Sequence, residues 1–204
     1  MVTRMGQLLV AALIGTLGVF SNVSGVRATE ATQPPVELDV NNKRFVIPHD
    51  YVDFFSKDPP GVELFVRWPT FGPFPREEAA RKPNPYDWGG LLIVMLDGPF
   101  STVPIEVSYK RLLTLLGSRV RMEERYGLTW EGPGPDSNPH DPHQIGAAWG
   151  SDGTLTSFII CGLSCELQTK TVGGLVKISF PTMQLENWEL IRFHIETLFQ
   201  KWGK

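Results

Sequence analysis

Residues 147–180 read AAWGSDGTLTSFIICGLSCELQTKTVGGLVKISF, and this stretch decides the fold class. Ala147–Gly150 and Ser157–Cys161 are short apolar runs on either side of Ser151-Asp152-Gly153, a turn sequence of the kind that joins neighbouring strands. Cys165–Thr169 and Leu175–Phe180 repeat the pattern through Gly173-Gly174. Two hairpins in succession predict antiparallel sheet. Beyond Pro181 the period changes: Trp188, Ile191, Ile195, Leu198 and Trp202 recur at the spacing of one helical face. Glu186 and Glu189 near its start, and Lys201 and Lys204 at its end, suit the helix dipole. A helix with two tryptophans on one stripe has to bury them, and the sheet is available. The expectation is an α+β fold, a mainly antiparallel sheet of roughly six to eight strands with a C-terminal amphipathic helix packed on it.

Working upstream, Leu91–Leu96 is a continuous apolar run between Gly89-Gly90 and Asp97-Gly98-Pro99 and reads as a buried strand. Val62–Trp68 and Arg44–Ile47 read as strands, and Tyr51–Phe55 as a turn of helix packing its aromatics inward. Residues 104–116 alternate like a strand and then become leucine-rich, so strand and helix both stay open there, while Arg119–Trp130 reads as one strand. Two segments read as long loops. Residues 69–89 hold Pro69, Pro73, Pro75, Pro83 and Pro85 among Phe71, Phe74, Tyr86 and Trp88; proline removes ladder donors and disfavours helix. Four aromatics favour an ordered loop, folded onto its own core or used in binding. Residues 131–144 (EGPGPDSNPHDPHQ) are the second.

The chain opens with Arg4 and a 13-residue apolar run, Leu8–Phe20. That run is too short for a membrane-spanning helix and right for a secretory signal. Small residues place cleavage after Gly25 or Ala28. The expected organisation is therefore a signal peptide over 1–28, a flexible lead over 29–43 and a single α+β domain over 44–204, acting in the periplasm. Arg4 and Arg27 leave with the signal peptide and no acidic residue does, so the formal charge of −3 becomes −5. An acidic chain without a basic run has no electrostatic footprint for nucleic acid, and no later segment is apolar enough to span a membrane. In an oxidising compartment the two cysteines, Cys161 and Cys165, are expected to form a disulfide that pins a local turn. Two thiolates with no second ligand pair do not make a zinc site.

The search for chemistry finds no nucleophile elbow, zinc-protease helix motif or phosphate-cradling glycine loop. His49 and Asp50 are adjacent and point apart in most backbones. His194 reads as a helix-surface residue. The strongest chemical candidate is Asp136-Ser137-Asn138-Pro139-His140-Asp141-Pro142-His143. Its two imidazoles and two carboxylates could hold a divalent ion, His140 and His143 through nitrogen and Asp136 or Asp141 through oxygen. The same residues suit a solvated loop or a partner contact. No cofactor and no catalytic residue is assigned.

Scattered positions carry a resemblance: Phe45-Val46-Ile47-Pro48-His49-Asp50-Tyr51 early in the chain, Arg67-Trp68-Pro69 closing a strand, a late cysteine pair ahead of a strand, and Leu185, Trp188 and Ile191 in the terminal helix. The chain thereby resembles the small periplasmic immunity proteins encoded beside toxic effectors of type VI secretion systems. The resemblance implies a stoichiometric inhibitor that is not an enzyme. Its partner would be a secreted effector whose cleft it occludes over an interface of about 1,600 Å². Phe71, Phe74, Tyr86 and Trp88 are the first expected contacts, because aromatic anchors carry most interface energy; Asp136 and Asp141 are the second. The alternatives are an accessory envelope-binding protein and a metal-assisted hydrolase working through His140 and His143.

Overall fold

Phe45 lies at the junction of three parts of the structure, a computed structural model that describes residues 33–80, 90–134 and 143–204. It sits on β2 (Lys43–Ile47), which forms a two-stranded hairpin with β1 (Val36–Val40). The connecting Asn41 and Asn42 both have positive φ, as a two-residue primed turn requires. Leu38, Val40, Phe45 and Ile47 are buried on one side of this hairpin. Val36–Val40 was expected to lie in a flexible lead. The alternation of Leu38 and Val40 with exposed acids instead gives that segment an apolar face to bury, so the ordered chain starts earlier than residue 44.

Among the described residues the larger sheet has ten strands in the order β3-β4-β6-β12-β11-β10-β9-β8-β7, with β5 beside β4, and its neighbours pair antiparallel. β3 (Val52–Lys57), β4 (Pro60–Arg67), β5 (Gly72–Pro73) and β6 (Leu91–Asp97) build its N-terminal end. The rest is β7 (Arg119–Arg125), β8 (Leu128–Pro133), β9 (Gln144–Trp149), β10 (Leu155–Cys161), β11 (Ser164–Thr171) and β12 (Gly174–Pro181). The helices are α1 (Arg76–Ala80), α2 (Gly98–Ser101), α3 (Ile105–Leu116) and α4 (Trp188–Trp202). The α+β expectation holds: the sheet is antiparallel and the C-terminal helix packs on it.

Because side chains alternate along a strand, the two faces bury separate clusters, with a third, smaller one around Phe74, Ala79 and Leu91. Leu64, Val94, Ile178, Leu167 and Ile159 point to one face and meet Trp188, Ile191, Ile195, Phe199 and Trp202 of α4, together with the β1–β2 hairpin. Ile145, Ala147, Phe158 and Leu175 point to the other and meet Ile105 and Tyr109 of α3. Cys161 and Cys165 are register partners on β10 and β11 and form the expected disulfide, closing that hairpin across its loop.

Four local readings are corrected. Tyr51–Phe55 is not helical beyond a 3-10 turn at His49–Tyr51: Val52 and Phe55 pair with β4 as part of β3, where β-branched and aromatic residues fit a pleated surface. Arg119–Trp130 is a hairpin, because Tyr126 and Gly127 adopt positive φ and turn β7 into β8. The 131–144 loop is shorter than read, since β8 runs to Pro133 and β9 starts at Gln144. The 69–89 segment includes the short β5 and α1 before residue 81. Residues 104–116 resolve to helix, and the sheet exceeds the six to eight strands expected.

The hairpin tip, α2 and the β11–β12 turn meet at one point. The Asn41 side-chain amide donates to the Gly173 carbonyl (2.7 Å) and to Ser101 Oγ (3.1 Å). Gly174 adopts φ +108°, and a Cβ there would lie 2.3 Å from the Ser101 carbonyl oxygen. Gly174→Ala is therefore expected to destabilise the protein by about 3 kcal/mol. For a domain of this size that lowers the thermal midpoint by about 6–12 °C, measurable by calorimetry.

Candidate partner-binding surface

The structure does not present Phe71 and Phe74, two of the four first expected contacts, as surface anchors. Phe74 is 1% exposed and lies beneath the Arg67 guanidinium, 4.6 Å from its ring centre, with Arg67 in turn paired to Glu78. Phe71 is 7% exposed; its ring stacks on His194 of α4 at 4.1 Å and meets Trp68 edge-on. The first part of the proline-rich segment is thus folded onto its own core. Apolar rings beside buried neighbours lose more water contact there than at the surface. Both residues, expected as partner contacts, are therefore buried in this structure. His194 sits half-buried between Phe71 and Phe193 instead of standing free on the helix. Tyr86, Trp88, Asp136, His140 and Asp141 lie outside the described residues. His143 is described, and its carbonyl accepts from Arg119 Nη1 at 3.0 Å. Among the described residues no group of three or more His, Cys, Asp or Glu is arranged to hold a metal ion.

A different set of large side chains stands out at one end of the sheet. Tyr126, at the tip of the β7–β8 hairpin, is 45% exposed, and Trp149, at the end of β9, is 51% exposed. With Glu124, Arg125 and Thr129 they line a concavity of about 300 Å³. Both aromatics are held from behind. Trp188 Nε1 donates to the Tyr126 carbonyl (2.8 Å), and Trp130 Nε1 donates to the Arg125 carbonyl (3.0 Å). Two buried indoles therefore cap the two carbonyls that enter the turn. Arg125 lies over Tyr126 and Trp130, at 5.3 and 5.2 Å. Trp149 rests edge-on against Tyr109, which packs on Phe158. Burial, and secondarily the charge of Glu131, push the Tyr109 hydroxyl up to about 12, so it stays neutral. The result is an exposed Tyr, Trp and Arg on a rigid support. These are the residue types that dominate binding hot spots, and rigidity lowers the ordering cost of association.

The chain shares its fold with a secretion-system immunity protein. The solved structure of Smlt3025, an immunity protein of the Stenotrophomonas maltophilia type IV secretion system, superposes at a TM-score of 0.63 with 16% identity, over 84% of this chain and 94% of that one. The Neisseria meningitidis iron-regulated outer membrane lipoprotein FrpD aligns over 84% of this chain and 93% of that one, with 14% identity and a TM-score of 0.44. No protein-family model and no curated protein matches the sequence. No helix among the described residues is long and apolar enough to cross a membrane.

Sequence reasoning missed Tyr126 and Trp149 because each was absorbed into a strand. Tyr126-Gly127 carried a usable signal: an x-Gly pair between two alternating runs is hairpin chemistry, and a hairpin tip exposes its first residue. Trp149 carried none, because its exposure follows from β9 extending past the start of β8, where Thr129 pairs with Ala147.

The contrast between the two sets is measurable. Phe71→Ala should cost about 3–5 kcal/mol of folding stability by emptying a packed site, whereas Trp149→Ala should cost less than about 1 kcal/mol, both read by denaturant unfolding. A second test concerns Glu63, half-buried on β4, whose carboxyl is raised by burial and by Asp53. Its ionised form opposes folding, so the native state gains as pH falls toward the carboxylate range. Glu63→Gln should raise the thermal midpoint at pH 7, with the gain fading as the solution is acidified through that range.

Proposed function

We propose that this protein is an immunity protein, exported to the periplasm, that binds a secreted toxic effector stoichiometrically and occludes its active cleft. The observation that carries the reading is the fold shared with a secretion-system immunity protein over 84% of this chain and 94% of that one. The resemblance read from Phe45–Tyr51, Arg67–Pro69 and the terminal helix supports the same kind of role, and the proposal takes from it an effector of a type VI system. The rigid Tyr126–Trp149 end supplies the means. Two aromatics and an arginine are preset for contact, so a large share of the binding energy is available without ordering a loop. Tyr86, Trp88, Asp136 and Asp141 stay in the proposal as further contacts, whereas Phe71 and Phe74 leave it. The acidic balance of the chain favours a basic effector surface and a faster encounter with it.

The test is capture of partners by the purified protein from the native organism's secreted and envelope fractions, followed by assay of whatever is retained. One toxic protein should be held at equal stoichiometry and lose its toxicity when the chain is added. Tyr126→Ala and Trp149→Ala should each weaken that complex about 30-fold or more, equivalent to about 2 kcal/mol. Retention of no specific protein under conditions that preserve nanomolar complexes would overturn the reading.

A further inference from the structure

We infer that the concavity beside Trp149 receives a basic side chain, arginine or lysine, from the protein's partner. The inference rests on the immunity reading for the partner's nature, and on the notch itself for the chemistry. The α3-side face of the sheet brings the parts together. Thr129 pairs with Ala147, Glu124 pairs with Thr129 across the β7 bulge, and Trp149 follows two residues after Ala147, so all four positions share one face. One wall is therefore an indole half open to solvent, and the opposite wall carries the Glu124 carboxylate.

Glu124 is the acidic residue among those lining the concavity, and two further carboxylates stand near it without lining it. Glu131 lies on the same face two residues beyond Thr129. Asp152 lies in the turn three residues after Trp149, where the backbone N–H and hydroxyl of Thr154 donate to its carboxylate and hold it below the usual range. Of two arginines beside the notch, Arg125 is engaged by other groups and Arg121 is paired with the notch's own Glu124. The Arg125 guanidinium lies over Tyr126 and Trp130 and reaches Glu123 at 3.5 Å. Arg121 pairs with Glu124, but both partners are well exposed, and such surface pairs contribute little. An incoming guanidinium can exchange for Arg121 while gaining the Trp149 ring, whose face attracts cations. An aromatic or acidic side chain would gain nothing from the carboxylates. The volume of about 300 Å³ accommodates one long side chain.

The experiment needs no effector. The purified protein is titrated with N-acetyl-arginine methylamide while the indole N–H resonances are followed, and its neutral isostere N-acetyl-citrulline methylamide serves as the control. Trp149→Phe assigns the Trp149 resonance, and the other five of the six tryptophans report non-specific effects. Arginine should shift the Trp149 resonance along a saturating curve near ten millimolar, with citrulline about tenfold weaker. Glu124→Gln, at an exposed position, should weaken the arginine response about threefold. Equal responses to the two ligands, no saturating response to arginine, or an unchanged response in Glu124→Gln would each overturn the inference. Capture of an effector alongside any of these results would leave the immunity reading standing. A specific arginine response without any captured effector would support the notch and remove that reading.

Discussion

Burial of the Phe45 ring is the contact on which the remaining architecture depends. The ring meets Phe199 of α4 edge-on, fills the space over Gly173 in the β11–β12 turn, and its backbone bridges to Gly203 beyond the end of the helix. The Lys204 amide donates to the Arg44 carbonyl alongside. One aromatic side chain therefore ties the first hairpin, the last helix and a central turn of the sheet. Gly173 is required by this approach, since a Cβ there would stand 2.9 Å from the Phe45 ring. Tyr51 and Trp202 extend the same cluster, in edge-on contact. The β1–β2 hairpin and the C-terminal helix close on each other through apolar area removed from water, the dominant favourable contribution to folding.

That closure has a consequence at the opposite edge. With α4 fixed by Ile191, Ile195, Phe199 and Trp202, its first residue, Trp188, is placed to donate its indole N–H to the β7–β8 turn. The exposed Tyr126 tip is thus supported by the same helix that Phe45 anchors. On the other face α3 buries Ile105 and Tyr109, and the ring of Tyr109 backs Trp149. Neither aromatic is exposed by accident of a loose loop; each projects from an element whose other side is packed. A surface of this kind suits recognition of a protein partner, because the rings are already oriented before contact. The polar groups beneath α3 are paired as well: Ser108 donates to Gln168, which donates to Glu166. Buried polar groups satisfied in this way hold the helix in one position instead of leaving it to slide.

Much of this was legible in the residues. The α4 stripe, the two hairpins of residues 147–180 and the β6 run are strong periodic patterns, and each appears where its pattern placed it. The disulfide was legible because the only two cysteines of the chain fall at opposite ends of one hairpin loop. Where the reading failed, a short signal was outvoted by a longer one. The Asn41-Asn42 and Tyr126-Gly127 turns are two residues each, and both were merged into a neighbouring lead or strand.

The sequence by itself determined the class of fold and the faces to be buried, because hydrophobic period is a local property that survives without knowledge of neighbours. Only the tertiary structure decided which aromatics face outward. Phe71 and Phe74 read as candidates for the surface, yet Phe71 is covered by His194 from the distant α4 as well as by nearby Trp68, and Phe74 lies under Arg67. Tyr126 and Trp149 were unremarked, yet they stand at an end of the sheet where the strand pairing stops. Exposure depends on what arrives from elsewhere in the chain to cover a ring, and no local pattern of residues carries that information.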